Sequence, residues 1–230
     1  MTNLNEYDST LSEIRAQIGK LVLATVNPFK AVELSAAAWL KILADLFPKV
    51  DDARWAASGA ARDFYDAERL EKVGERRDTY LSTYDPDDFQ AAMEDYRADI
   101  SKKYEPEEEK RWVNTVSGMA GGVIREVDNG ARLTLAEATI ADDAAGFARI
   151  DPQPPSCAFC TMLISRGPAY TAEEFQKNTF AYHPFDTCIL VPVFDEDDWP
   201  GKDQYEEAER LYREAAKKDG DTLKNLRDMV

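Results

Sequence analysis

AVELSAAAWLKILADLF, residues 31–47, followed by PKVDDARWAASGAARDFYDAERL, residues 48–70, is the stretch from which the fold is read. The first piece places apolar side chains at three- and four-residue intervals over a broad face, the spacing of a helix buried on more than one side. Pro48 has no backbone N–H and is expected to stop that helix. Asp51 and Asp52 are suited to capping the next one. There Ala53, Ala56, Ala57, Ala60 and Ala61 form a stripe of small residues beside Trp55, Phe64 and Tyr65. A stripe without bulk lets a second helix come close, so helix packing is its expected use.

The same reading extends in both directions, and residues 8–143 read as helical. Upstream, Leu11, Ile14, Ile18, Leu21 and Val22 follow helical spacing up to Asn27-Pro28. Downstream, YDPDDFQAAMEDYRADI starts with Asp85 as a cap and Pro86 at the first helical position, and acids fill the first turn. Phe89, Met93, Tyr96 and Ile100 make its expected buried face. YEPEEEKRWVNTV repeats that start at Pro106. Gly121-Gly122 weakens this helix, Asn129-Gly130 offers a turn, and a last helix is expected over 131–142.

Composition changes at DPQPPS, residues 151–156, a proline-rich joint and the best candidate boundary. ILVPVF, residues 189–194, is a short β-like run. The tail from Trp199 returns to helical pattern, with charge pairs four residues apart on its polar face, and reads as an arm or docking helix. The expected class is mainly α with an α+β element: a helical body over 1–150, a small cysteine- and histidine-bearing module over 151–198, and a helical tail over 199–230.

The bulk numbers fit a globular chain. Of 230 residues, 44% are hydrophobic and 31% charged. No apolar run reaches 18 residues, so no membrane span is expected. The start, MTNLNEYDSTLSEIR, has no basic and then apolar pattern, so no secretory signal is expected. The formal charge is −16; residues 151–230 carry 16 acids and 9 bases, net −7, leaving −9 for the rest. Phosphate binding needs clustered Lys and Arg, and no such stripe is present. Direct contact with nucleic acid is therefore not expected, and a basic protein partner or simple solubility suits the charge better.

All three cysteines and the one histidine fall within 32 positions. CAFC (157–160) is followed, after 22 residues, by His183 and, five positions on, by Cys188. Three thiolates and an imidazole suit tetrahedral Zn²⁺, and four protein ligands leave no open position, as in a structural site. Such a site would hold a module too small to be stable through its own core. Asp186 lies between His183 and Cys188, placed to supply an oxygen ligand or to orient the imidazole. Other readings stand beside zinc. One is a small core of buried thiols with a hydrogen-bonded His183. Another is a Cys157–Cys160 disulfide. A third is a catalytic set of one cysteine with His183 and Asp186. Three cysteines are too few for a disulfide framework. The zinc-deaminase order, an H-x-E ahead of P-C-x-x-C, is absent.

CAFCTMLISRGPAYT with YHPFDTCILVPVF resembles the C-terminal module of phage head morphogenesis proteins, the MuF-like minor capsid family, and is most similar to its versions in phages of actinobacteria. That family shows C-x-F-C-x-x-L-x-S-R-G-x-x-Y, then F-H-x-x-C-x-C, then P-V-F. Cys157, Cys160, Arg166, Gly167, Tyr170, His183 and Cys188 match. Asp186 stands where the family has its first late cysteine, so His183 or Asp186 would replace that thiolate as a ligand. GFARIDPQPPS and ARWAASGAARDFYDAERL are also similar to family segments. The resemblance implies a structural virion protein inside the procapsid that contacts portal, scaffold or the inner capsid face, without enzymatic activity. A cysteine-dependent prohead maturation protease with His183 as base is the alternative. Gly167 is expected to end the helix after CAFC, and Arg166 and Tyr170 to staple the module.

Overall fold

The computed structural model describes residues 4–77, 83–142, 146–153, 156–168 and 187–230. Four long helices make the body: α1 (Leu4–Val26), α2 (Ala36–Lys72), α3 (Pro86–Ile100) and α4 (Glu109–Ala141). They are followed by strand β1 (Gly146–Ile150), helix α5 (Ala158–Ile164), strand β2 (Ile189–Val193), and helices α6 (Lys202–Ala216) and α7 (Thr222–Arg227). The protein is mainly α with a small α+β part. Among the described residues, no helix is long and apolar enough to cross a membrane.

Pro48 does not stop its helix. α2 runs 37 residues with Pro48 inside it. A proline in a helix interior costs about 3 kcal/mol. Burial offsets that loss: Trp39, Ile42, Leu43 and Leu46 before it and Val50, Ala57, Ala61, Phe64 and Tyr65 after it lie on the buried side of one continuous helix. Pro48 itself is exposed. The helix begins where Ser35 accepts from the Ala38 N–H at 3.2 Å.

The expected break in α4 is also absent. Gly121-Gly122 and Asn129-Gly130 lie inside a single 33-residue helix. Two of these glycines are contact points. A Cβ on Gly122 would sit 2.6 Å from Tyr96 Oη of α3, and one on Gly130 would sit 2.5 Å from Arg54 Cγ and 2.8 Å from the Arg54 carbonyl of α2. The chain omits side-chain bulk where neighbouring helices touch α4. The alanine stripe of α2 does the same: Ala57 and Ala61 are fully buried and Ser58 faces Gly130.

α3 starts as its sequence indicates, with Asp85 accepting from the Asp87 N–H and Pro86 at the first position. Phe89, Met93 and Ile100 are buried, and Tyr96 lies partly buried over Gly122. A short 3-10 turn at Pro106–Glu108, with a reciprocal Glu105–Glu108 capping box, leads into α4.

β1 and β2 pair antiparallel, from Gly146 opposite Val193 to Ile150 opposite Ile189. Pro192 is tolerated because a strand in a two-stranded ribbon has an unpaired edge. Phe147, Ala148, Ile150, Ile189, Leu190, Val191 and Val193 share one core with α1–α4, so the sheet lies on the helical body. Helix α5 packs against the tail: Ala158, Ala215 and Leu226 form a separate cluster with Met162, Leu211, Tyr212, Leu223 and Met229 against it.

Candidate functional site

Helix α5 positions the cysteine pair. Cys157 is its N-cap, in extended backbone conformation (φ −67°, ψ 160°). The Cys160 N–H donates to Cys157 Sγ at 3.4 Å, and the Thr161 N–H and hydroxyl both donate to the Cys157 carbonyl, at 2.8 and 3.0 Å. These bonds fold the first turn back and bring the two sulfurs to 3.3 Å, with the Cys157 thiol donating to Cys160 Sγ. The three cysteines are thiols, Cys157 exposed and Cys160 and Cys188 buried. Cys160, Cys188, Ile164 and Ala208 form one cluster, so α5, the start of β2 and α6 meet at these two thiols.

Cys188 is fixed from the helical body. Arg132 of α4, itself buried, donates through Nη2 and Nε to the Cys188 carbonyl at 2.9 and 3.3 Å. One turn earlier on α4, Asp128 receives the Arg15 guanidinium of α1, with Nε 3.0 Å from both carboxylate oxygens. Arg132 Nη2 lies 3.7 Å from the same carboxylate. A buried chain of charge therefore runs from α1 through α4 to the residue before β2. The loop after β1 is tied in parallel. Buried Asp151 exchanges two 2.7 Å bonds with the Gln204 side chain of α6, through its N–H and its carbonyl, and its carboxylate accepts from Thr187. Gln153 reaches Ser12 of α1 at 3.0 Å.

α5 ends at Ile164 with Ser165 as its C-cap, and Gly167, expected to end it, turns the chain two residues further on. Its φ is +61°, its N–H donates to the Ile164 carbonyl, and Tyr205 of α6 lies where a Cβ would be, at 2.7 Å. Arg166 is exposed. Tyr170, His183 and Asp186 lie outside the described residues.

Three of the five expected metal-site residues are therefore described: Cys160 packs with Cys188 and lies 3.3 Å from Cys157 Sγ. The donor chemistry suits zinc. Two sulfurs come from one helical turn, and their 3.3 Å separation is near the roughly 3.8 Å that tetrahedral Zn–S bonds of about 2.3 Å imply. Among the described residues no group of three or more such side chains, the three cysteines included, is placed to hold a metal ion.

A second buried network closes the far end of α2 and α4. Asp142 accepts from Arg69 Nε at 2.5 Å and from the Tyr65 hydroxyl at 2.9 Å. Burial, and then the bond to Asp142, push the Tyr65 phenol well above its ordinary pKa. In the middle of the bundle, Arg54 donates to the Glu126 carbonyl and stacks 4.2 Å over the Tyr84 ring, whose hydroxyl meets Glu126 at 3.1 Å.

Sequence reasoning passed over Arg15, Asp128, Arg132 and Asp151. A signal was present in α4, where Asp128 and Arg132, four residues apart, fall on the stripe of Val123, Val127, Ala131 and Leu135. An acid and a base at this spacing can pair, and pairing is the condition under which charged residues are buried.

These features define a helical scaffold that clamps a small thiol-bearing unit by buried charge. The family model described as VG15 protein matches residues 1–215, and the chain belongs to that family. Two curated phage relatives agree. The "Gene 15 protein" of Mycobacterium phage D29 is 31% identical over 89% of this chain and 84% of its own length; the "Gene 15 protein" of Mycobacterium phage L5 is 27% identical over 95% and 86%. No solved structure matches.

Proposed function

We propose that this phage protein is a minor capsid, head-morphogenesis component of the MuF-like type. It acts by binding portal, scaffold or the inner capsid face during procapsid assembly. Its place in this reading is the capsid interior, after synthesis in the host cytoplasm, and direct nucleic-acid contact is no part of it. The observation that carries the structural role is how the cysteines are used. Cys188 is wholly buried, with its carbonyl held by Arg132, and Cys160 is buried beside it. Neither is placed to attack a peptide bond, and the exposed Cys157 lies 3.3 Å from Cys160 Sγ. The thiols thus serve to pin the module to a rigid helical body whose outer faces remain for partners. Within the same proposal, Cys157, Cys160 and Cys188 bind structural zinc, with His183 or Asp186 completing the set.

Two experiments test this. Procapsids assembled with and without the chain, alongside portal, scaffold and major capsid protein, are separated by sedimentation. The chain is expected to travel with procapsids, and a chain left wholly in the soluble fraction overturns the assembly role. Elemental analysis with thiol titration before and after chelation tests the metal. About one zinc per chain, with thiols that react only after chelation, is expected. A metal-free protein with one fast-reacting thiol turns the reading toward the cysteine protease, to be checked on capsid and scaffold substrates.

A further inference from the structure

The geometry points to Cys157 and Cys160 as a thiol–disulfide exchange site, in which Cys157 takes up a small-molecule disulfide and Cys160 resolves it into an intramolecular bond. Three observations carry it. The sulfurs already lie 3.3 Å apart, so closing to the roughly 2.05 Å of an S–S bond needs about 1 Å of movement. The pair divides by exposure: Cys157 is open to an incoming reagent, whereas Cys160 is 4% exposed and is reached most readily from Cys157. The Cys157 backbone is held by the two Thr161 bonds, so the pair is set in place before any reaction.

The chemistry balances with oxidised glutathione as the oxidant. The Cys157 thiolate attacks one sulfur of the reagent, a protein–glutathione bond forms, and one glutathione thiolate leaves. The Cys160 thiolate then attacks Cys157 Sγ, the Cys157–Cys160 bond forms, and the second glutathione thiolate leaves. The two protein thiols lose two electrons and two protons in all, and the reagent becomes two glutathione thiols. A protein made in a reducing cytosol and later carried outside the cell meets both conditions. The exchange goes beyond the zinc reading and does not need it, because the metal-free chain already has the required geometry.

The test uses the full chain, reduced and stripped with chelator, then incubated with oxidised glutathione. Remaining thiols are alkylated, and intact mass and peptide links are read. The wild type is expected to end with Cys188 as its one alkylatable thiol, no retained glutathione, and a Cys157–Cys160 link. Cys160→Ser is expected to stop at a stable glutathione adduct on Cys157. A wild type that keeps all three thiols, holds a glutathione adduct, or links either residue to Cys188 overturns the proposal. Since the wild type alone gives these outcomes, a misfolded variant does not decide the result. A parallel sample without chelation separates this idea from zinc: protection lost on chelation speaks for the metal, and the chelated sample alone judges the exchange.

Discussion

Asp128 sits between two arginines from different helices, and its environment sets what its removal does. Arg15 holds both its oxygens, and Arg132 stands one turn on, bonded to the Cys188 carbonyl. Taking one member from a buried pair leaves an uncompensated charge, at a cost of about 3–5 kcal/mol. Asp128→Ala is expected to lose about that much in urea denaturation, and Arg132→Ala to lose a comparable amount and to loosen the start of β2, read as faster amide exchange at Ile189 and Leu190. Glu137 is the opposite case. Burial raises its pKa, Arg54 only partly opposes this, and Oε2 has no hydrogen-bond partner among the described residues. A carboxyl with a raised folded pKa prefers the protonated form in the fold. Its charge therefore lowers stability above the folded pKa, and this cost fades as pH falls through the folded pKa and is gone below the ordinary carboxylate value. Glu137→Gln is expected to raise the melting temperature modestly near neutral pH, with the gain vanishing in acid. An equal gain at all pH values would mean that the charge is not the cause.

At the scale of the element, α2 and α4 show local rules overridden by packing. Pro48 is exposed and lies within a helix that burial keeps continuous. Pro48→Ala is therefore expected to stabilise the protein, by up to about 3 kcal/mol, since it restores a helical hydrogen bond without entering the core. Gly130→Ala is expected to do the reverse. Its Cβ meets Arg54 at both side chain and backbone, and backbone cannot move aside cheaply, so a loss of about 1–3 kcal/mol in denaturant midpoint is expected. The caps, by contrast, were legible. Asp85-Pro86 and the acids after Pro106 start helices by bonds within one turn, and such bonds need nothing from the rest of the fold.

At the scale of the whole molecule, the thiol-bearing unit is joined to the body by β1 and β2 in the shared core, by the Arg15–Asp128–Arg132 chain, and by Gln153 with Ser12 of α1, while Asp151 ties it to α6 through Gln204. If zinc pins that unit, His183→Ala and chelation are each expected to lower the melting temperature of the purified chain. A His183→Ala protein that melts like the parent removes the pinned-module idea.

The sequence by itself determined the helical class, the cap that starts α3, the capped turn that leads into α4, the turn at Gly167, the strand at 189–193, and the concentration of cysteines around it. Each follows from side-chain period, from a backbone group that only a neighbour can satisfy, or from a residue type with one conformational use. Tertiary structure decided the rest. It kept α2 and α4 whole through Pro48, Gly121-Gly122 and Asn129-Gly130, because the burial of their faces outweighs local propensity. It made GFARI a strand, because its partner lies some 40 residues on and a pairing at that distance leaves no local mark. It also turned Arg15, Asp128 and Arg132 from apparent surface charges into the buried link between the helices and the thiols, because only the packed chain sets which charges lose their water.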